Sequence, residues 1–158
     1  MRKQILGQAS PPSTRRPDEL DLPALATALL TSESADHPIE NIFDDHRGPG
    51  GTRWVAEIPG EQILTLAFDR PQNLHRVELE VEDLDETRTQ ELELLLSQDG
   101  GQSYRHILRQ EFNFSPGTTF EREVWTVTAT GVTHVRLRIK PDKGGRPCRA
   151  TLTSLVLA

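Results

Sequence analysis

Alternation of apolar and polar side chains is the sequence feature that most constrains how this chain folds. Between Arg76 and Glu82, valine or leucine occupies every second position, and arginine or glutamate occupies the others. A period of two places each set of side chains on its own face of a β-strand, so that one face is buried and the other is hydrated. The same period predicts strands at residues 64–68, 77–81, 92–96, 135–139 and 152–157, after a first strand at 24–31. Pro23 disfavours a helix over residues 20–30.

Segments rich in glycine and proline separate the predicted strands. They lie at residues 48–51, 59–60, 69–71, 99–101, 116–117, 131 and 141–147. Strands that follow one another at intervals of roughly 8–12 residues, with turns between them, are typical of antiparallel sandwiches and barrels. The length of 158 residues suits one such domain. We therefore predict an all-β, antiparallel fold.

The N-terminal segment differs in composition from the rest of the chain. Residues 1–21 contain Pro11, Pro12 and Pro17 among serine, threonine and arginine, which predicts a flexible arm before a folded domain at residues 22–158. The segment lacks the apolar stretch of about 7–15 residues that secretory signals contain, so we expect a cytoplasmic protein. No apolar run approaches the roughly 18–20 residues that cross a bilayer, so we expect no membrane span.

Four motifs, in sequence order, resemble those of one known family. Residues 41–45, N-I-F-D-D, precede a glycine-rich loop and then T-R-W at 52–54. They are similar to the Asn-x-x-Asp-Gly loop and Thr-x-Trp motif of discoidin and coagulation-factor type C domains. Residues 94–104, L-L-L-S-Q-D-G-G-Q-S-Y, resemble the strand, Ser-x-Asp-Gly turn and aromatic residue of a hairpin in that family. The other two cues are the paired strands within 63–81 and the penultimate strand at 133–140.

This resemblance covers residues 22–158 and implies an antiparallel jelly-roll β-sandwich of about eight strands, the galactose-binding-domain-like fold. Such domains bind ligands with loops at one end, and carbohydrate is their commonest ligand. The resemblance therefore implies a non-catalytic binding module with carbohydrate as the first candidate. The histidines are scattered, and neither Gly-x-Ser-x-Gly nor His-Glu-x-x-His occurs, so we predict no enzymatic activity. The alternative is an intracellular protein-interaction or scaffold module that binds a protein partner through charged strand faces.

Two polar segments are candidates for the ligand site. Arg109, Phe112 and Asn113 combine cationic, aromatic and amide groups, which suit hydrogen bonds to sugar hydroxyls and contact with a sugar ring. Arg88 and Gln90 open the strand that is expected beside them. An alternative remains for each segment. Phe112 and the phenylalanine two residues later are equally compatible with one core face, and the charged side chains are compatible with surface ion pairs.

Calcium is a candidate cofactor. Asp44, Asp45 and the Thr52 hydroxyl, with the backbone carbonyls of residues 48–51, offer the hard oxygen ligands that calcium prefers. The alternative is a capped turn in which Asp44 accepts hydrogen bonds from backbone N–H groups. The last strand has Ser154 in a region where the family often has an acidic residue that completes its calcium site. The single cysteine excludes an intramolecular disulfide and a cysteine-based zinc cluster.

Charge is unevenly distributed along the chain. The net charge is −6, but residues 1–100 carry 9 Lys and Arg against 20 Asp and Glu, whereas residues 101–158 carry 9 against 4. Arg136, Arg138 and Lys140 share one face of a predicted strand. We expect this basic stripe to pair with the glutamates of residues 78–82 on a neighbouring strand, although it also suits an anionic partner. The overall acidity argues against a nucleic-acid partner.

Overall fold

The structure, a computed structural model, describes Met1 and residues 15–158. Its elements are helix α1 (Leu22–Leu25), strand β1 (Ala26–Leu30), a 3₁₀ helix (Ile39–Ile42), β2 (Trp54–Val55), β3 (Gln62–Glu82), β4 (Arg88–Ser97), β5 (Arg105–Phe114), β6 (Phe120–Lys140), β7 (Thr151–Leu152) and β8 (Ser154–Leu157). These strands pair antiparallel, which confirms the predicted all-β fold. Within the described residues, no helix has the length and hydropathy needed to cross a membrane.

The longest elements are β3 and β6, which pair with each other and extend over 21 residues each. The sequence predicts two strands and a turn at residues 69–71 in place of β3, whereas the chain continues there as one strand. The register of the pair shifts between Ala67 and Arg76. Pro71 has no N–H to donate to the ladder in this segment, and the opposing strand contains Gly131 at a φ of 63°. The pairing therefore resumes beyond the irregularity instead of ending in a turn.

This irregularity divides the β3–β6 pair between the two layers of the sandwich. In one layer, the first half of β3 and the second half of β6 lie between β1 on one side and β4 and β5 on the other. In the other layer, the second half of β3 pairs with the first half of β6 and with β8. The short β2–β7 ribbon contacts β3. The eight strands agree with the expected jelly-roll sandwich.

Large apolar side chains form the core between the layers. Leu79, Leu94, Phe112 and Ile139 are fully buried. The indole of Trp54 is also buried, and its Nε1 donates to the carbonyl of Ser32 at 3.1 Å. Burial of one such side chain contributes about 1.5–3 kcal/mol to stability. The apolar positions that recur with a period of two therefore face this core.

The beginning of the domain differs from the prediction. Residues 22–25 form the short helix α1, and β1 begins at Ala26, two residues after the start of the predicted strand. Pro23 lies in the first turn of this helix, where a residue without an N–H is tolerated. The Asp21 side chain caps the helix by accepting a hydrogen bond from the amide of Ala24.

Residues 15–21, the part of the predicted arm that the structure describes, contact the sheet. The Arg47 guanidinium donates to both carboxylate oxygens of Glu19, at 2.9 and 2.7 Å. Asp18 pairs with Arg76 at 2.7 Å, and the amide of Leu20 donates to a carbonyl of β8 at 2.8 Å. Residues 2–14, with Pro11 and Pro12, lie outside the described residues, so the flexible arm stays a prediction there.

Several loops meet at one end of the sandwich. The backbone amide of Asp83 donates to the carbonyl of Thr119 at 2.8 Å, and the backbone amide of Lys143 donates to the carbonyl of Thr89 at 2.7 Å. This end, which we name the loop end, consists of residues 56–61, 83–87, 115–119 and 141–150. Ala158 lies elsewhere, because it makes backbone hydrogen bonds to His75 and Arg76, beside the irregularity of β3. The loop end is therefore the part of the fold in which the sequence leads us to expect a ligand.

Candidate functional site

A cleft of about 300 Å³ opens at the loop end. Residues from four separate segments line it: Arg53, Val55, Pro59, Asp83, Asp85, Glu86, Arg88, Pro147, Cys148, Arg149 and Thr151. Its volume lies at the lower limit of pockets that bind small molecules, which run from about 300 to 1,000 Å³. We name it the main cleft.

The Arg88 guanidinium is the most rigidly held group of the main cleft. Its side chain is only 4% exposed. Nε donates to Asp83 Oδ2 at 2.7 Å, and Nη1 donates to the carbonyls of Arg149 at 2.7 Å and Pro141 at 3.3 Å. Within residues 15–158, Nη2 has no hydrogen-bond acceptor. The side chain therefore keeps one donor free in a fixed orientation at the cleft.

Asp83 completes this arrangement from the loop between β3 and β4. Its Oδ2 accepts from Arg88, while its Oδ1 accepts from the amides of Asp85 at 3.0 Å and Glu86 at 3.2 Å. A buried charge pair is stabilising only when hydrogen bonds satisfy both partners. The Asp83 carboxylate is thus a structural group that fixes both the arginine and the loop, and it is not available to a ligand.

Four more charged side chains line the main cleft. Arg53 is half-buried, whereas Arg149, Asp85 and Glu86 are exposed. Among the residues that the structure describes, none of these four side chains has a hydrogen-bond or ion-pair partner. The cleft therefore has free donors on two arginines and free acceptors on two carboxylates.

The apolar surface of the main cleft is aliphatic. Val55, Pro59 and Pro147 line it, and no aromatic side chain does. Two exposed apolar side chains belong to the same loops without lining the cleft: Ile58, the neighbour of Pro59, is 50% exposed, and Leu84, on the loop between β3 and β4, is 64% exposed.

The ligand residues suggested by the sequence do not come together in one place. Arg88, Gln90 and Phe112 point into the sandwich, and Arg109 and Asn113 point outward from the same two strands. Of these five residues, only Arg88 lines the main cleft. The period of two explains the separation, because residues at odd and even positions lie on opposite faces of a strand.

Gln90 and Phe112 have structural roles. The Gln90 side chain is fully buried; its Nε2 donates to the carbonyl of Thr151 at 2.9 Å, and its Oε1 accepts from the Thr151 amide at 3.2 Å. Phe112 and Phe114 are both buried in the core. The structure therefore places Phe112 according to the alternative interpretation of the sequence, and its ring has no face exposed to a ligand.

Arg109 and Asn113 form pairs on the outer face of β4 and β5. Arg109 donates to Glu91 at 2.7 Å, and this hydrogen bond raises the pKa of the arginine. Asn113 Oδ1 accepts a hydrogen bond from the Thr89 hydroxyl at 2.7 Å. The backbone N–H of Asn113 donates to the carboxylate of Glu121, whose pKa is raised by burial. These contacts correspond to the surface pairing that the sequence left open as an alternative.

The predicted pairing of the basic stripe with the glutamates of residues 78–82 is wrong, and among the described residues Arg138 alone of the three cations pairs with a carboxylate. Arg138 lies 3.3 Å from Glu61, and Arg136 packs 4.0 Å from the ring centroid of Tyr104. The glutamates of residues 78–82 instead contact Arg16, Arg76, Arg122 and backbone amides of the glycine-rich loop. The reason is the divided β3–β6 pair, which brings the first half of β6 beside these glutamates and the stripe beside the first half of β3.

The residues of the candidate calcium site form a capped turn. Asp44 Oδ1 accepts from the amide of His46 at 3.0 Å, and Oδ2 accepts from the Thr52 hydroxyl at 2.5 Å. Within residues 15–158, no three acidic, histidine or cysteine side chains are grouped as metal ligands. Asp45, the third candidate, lies in the same loop. This arrangement corresponds to the capped turn that the sequence offered as the alternative to calcium binding.

Arg53, Asp85, Glu86 and Arg149 line the main cleft without having been predicted from the sequence. Arg53 lies inside the T-R-W motif, and Asp85, Glu86 and Arg149 lie in loops between predicted strands. Their sequence positions carry no signal that separates them from Asp83, a charged residue of the same loop as Asp85 and Glu86 that is paired with Arg88. What brings them together is the meeting of distant loops at the loop end.

Comparison with known proteins finds similarity at the level of structure. No protein-family model matches the chain, and no curated protein matches it. Among solved structures, CpGH89CBM32-5 from Clostridium perfringens, in complex with GalNAc-β-1,3-galactose, is 20% identical with a TM-score of 0.60, covering 89% of this chain and 99% of that one.

Two further structures are similar. Chitosan-binding module 1 from a chitosanase/glucanase of Paenibacillus sp. IK-5 is 18% identical, with a TM-score of 0.59 and coverage of 88% and 98%. The C-terminal domain of a chitobiase from Bacteroides fragilis is 16% identical, with a TM-score of 0.63 and coverage of 89% and 97%. At these identities the likeness is one of fold. The chain has the galactose-binding-domain-like β-sandwich fold that its sequence motifs suggested.

Proposed function

We propose that this chain is a non-catalytic carbohydrate-binding module whose saccharide ligand binds in the main cleft. The observation that carries the proposal is the buried Arg88 guanidinium, which is held by Asp83 and two carbonyls and keeps Nη2 free. A donor that is already oriented loses little conformational entropy on binding. The solved modules with this fold, one of them in complex with GalNAc-β-1,3-galactose, support the same ligand class.

The chemistry of the main cleft suits sugar hydroxyls. A hydroxyl both donates and accepts, so neighbouring hydroxyls on a ring are best satisfied by donors and acceptors together. Arg53 and Arg149 offer donors, and Asp85 and Glu86 offer acceptors. Hydrogen bonds to charged groups are the stronger ones. The free charges balance, because two arginines face two carboxylates, and this favours a ligand without net charge.

Two lining side chains that are potential nucleophiles are engaged with backbone carbonyls. The hydroxyl of Thr151 donates to the carbonyl of Trp54 at 2.8 Å. The Cys148 thiol is buried and lies 3.5 Å from the carbonyl of Arg146. Both side chains therefore already have a backbone acceptor, and no histidine lies among the lining residues of the main cleft to act as their base.

A glycan microarray tests the proposal with two matched variants. Arg149→Ala removes a free cation from the main cleft, and Arg105→Ala removes an exposed arginine at the start of β5, away from the loop end. We expect wild-type protein to bind saccharides on the array, Arg149→Ala to lose about tenfold or more in affinity, and Arg105→Ala to bind as wild type. Absence of binding to every saccharide, or equal loss in both variants, contradicts the proposal.

A further inference from the structure

A second cleft, of about 180 Å³, lies beside the main cleft at the loop end. It is lined by Asp83, Leu84, Asp85, Glu86, Thr87, Ser115, Pro116 and Thr119. Asp83, Asp85 and Glu86 also line the main cleft. The loop of residues 83–87 is therefore a common wall with one cleft on each side.

Hydrogen bonds hold this common wall in place from both sides. The amide of Asp83 donates to the carbonyl of Thr119 at 2.8 Å, on the side of the second cleft. On the side of the main cleft, Arg88 binds the Asp83 carboxylate at 2.7 Å, and the Arg146 guanidinium donates to the carbonyl of Thr87. Because the wall is fixed, the two clefts keep a constant separation.

The second cleft offers both polar and apolar contacts. Within the described part of the chain, the hydroxyls of Thr87, Ser115 and Thr119 make no hydrogen bond, and the Pro116 ring lies among them. Leu84 is 64% exposed on the common wall. An exposed leucine contributes little to the stability of the fold, whereas its burial under the C–H face of a sugar ring would contribute to binding through the hydrophobic effect.

From these observations, and resting on the proposed function, we propose that the loop end binds an oligosaccharide rather than a single sugar. One unit occupies the main cleft at Arg88, and the next unit lies across Leu84 into the second cleft. The Asp85 and Glu86 carboxylates line both clefts, so they are placed to accept hydrogen bonds from both units. The class of ligand is therefore a hydroxyl-rich chain of at least two residues.

The test measures affinity against chain length with two matched leucine variants. The probes are galactose, N-acetylgalactosamine, N-acetylglucosamine and mannose, each as monomer, dimer and trimer, titrated by calorimetry. Leu84→Ser removes the apolar contact on the common wall, and Leu29→Ser removes a leucine that is 54% exposed on β1. Both positions are exposed, so neither change is expected to disturb the fold.

In the series that binds, we expect the wild-type affinity to rise about tenfold from monomer to trimer. Leu84→Ser is expected to lose most of this rise with chain length, and Leu29→Ser is expected to keep it. Equal wild-type affinity for all lengths, or an unchanged rise in Leu84→Ser, overturns the inference and leaves the proposed function intact. Failure of every probe to bind overturns the proposed function and the inference with it.

Discussion

Replacement of Gln90 by leucine tests whether this residue connects β4 to the β2–β7 ribbon or serves a ligand. Its amide makes two hydrogen bonds to the backbone of Thr151, at 2.9 and 3.2 Å, in a fully buried position. Leucine cannot make either bond, so the N–H and the carbonyl of Thr151 lose their partners. An unsatisfied buried group costs about 1–3 kcal/mol, so we expect Gln90→Leu to lower the free energy of unfolding by about 2–6 kcal/mol.

Urea denaturation, followed by the fluorescence of Trp54 and Trp125, measures this loss. The matched control is Gln110→Leu, because Gln110 is half-buried and, among residues 15–158, its side chain donates only to the adjacent carbonyl of Glu111 at 3.2 Å. We expect the control to lose less than about 1 kcal/mol, with the denaturant dependence unchanged in both variants. A loss in Gln90→Leu no larger than in the control refutes the structural role that we assign to this amide.

Two further predictions concern calcium and pH. Calcium or a chelator is expected to leave the melting temperature unchanged, because both oxygens of the Asp44 carboxylate already accept hydrogen bonds; a rise with calcium contradicts this expectation. Hydrogen bonds from Ser103 lower the pKa of Asp99 from 3.8 to about 2. A lowered pKa in the folded state stabilises the fold above pH 3.8, and this stabilisation is lost as the pH falls towards 2. Ser103→Ala is therefore expected to weaken the decline in unfolding free energy over that range in urea titrations, and an unchanged decline contradicts the assignment.

The sequence is sufficient to predict the fold because its period of two marks the side of each strand that faces the core. The apolar positions of β3, β4 and β6 are buried or half-buried where the pattern places them. The expectation that the opposite face is hydrated is wrong for the second half of β3, where ion pairs and loop amides bury Glu78, Glu80 and Glu82. The pattern does not report where a long strand passes from one layer to the other. Pro71 interrupts hydrogen bonding within β3 without ending it, and the two halves of the strand therefore look like separate strands in the sequence.

The same passage of β3 and β6 between the layers explains why the predicted pairing of the basic stripe with the glutamates of β3 is wrong. Arg136 and Arg138 lie in the same strand as Arg122, but only Arg122 reaches the glutamates of β3, whereas Arg138 pairs with Glu61. Complementary charge alone does not distinguish these arginines. The distinction depends on strand register, and register is a property of the assembled pair.

The location of the proposed binding residue Arg88 depends on where along its strand an inward-facing polar residue lies. Arg88 and Gln90 both lie on the inward face of β4, and both make hydrogen bonds to residues about 60 positions later in the chain. What differs is the end of the strand that each occupies. Gln90 lies two residues further along β4 than Arg88, so its side-chain amide is fully buried. Arg88 lies at the end of the strand and keeps Nη2 free at the main cleft. A polar residue on an inward face is thus a candidate for ligand binding only where the strand ends, and that rule selects Arg88 while it assigns Gln90 to the core.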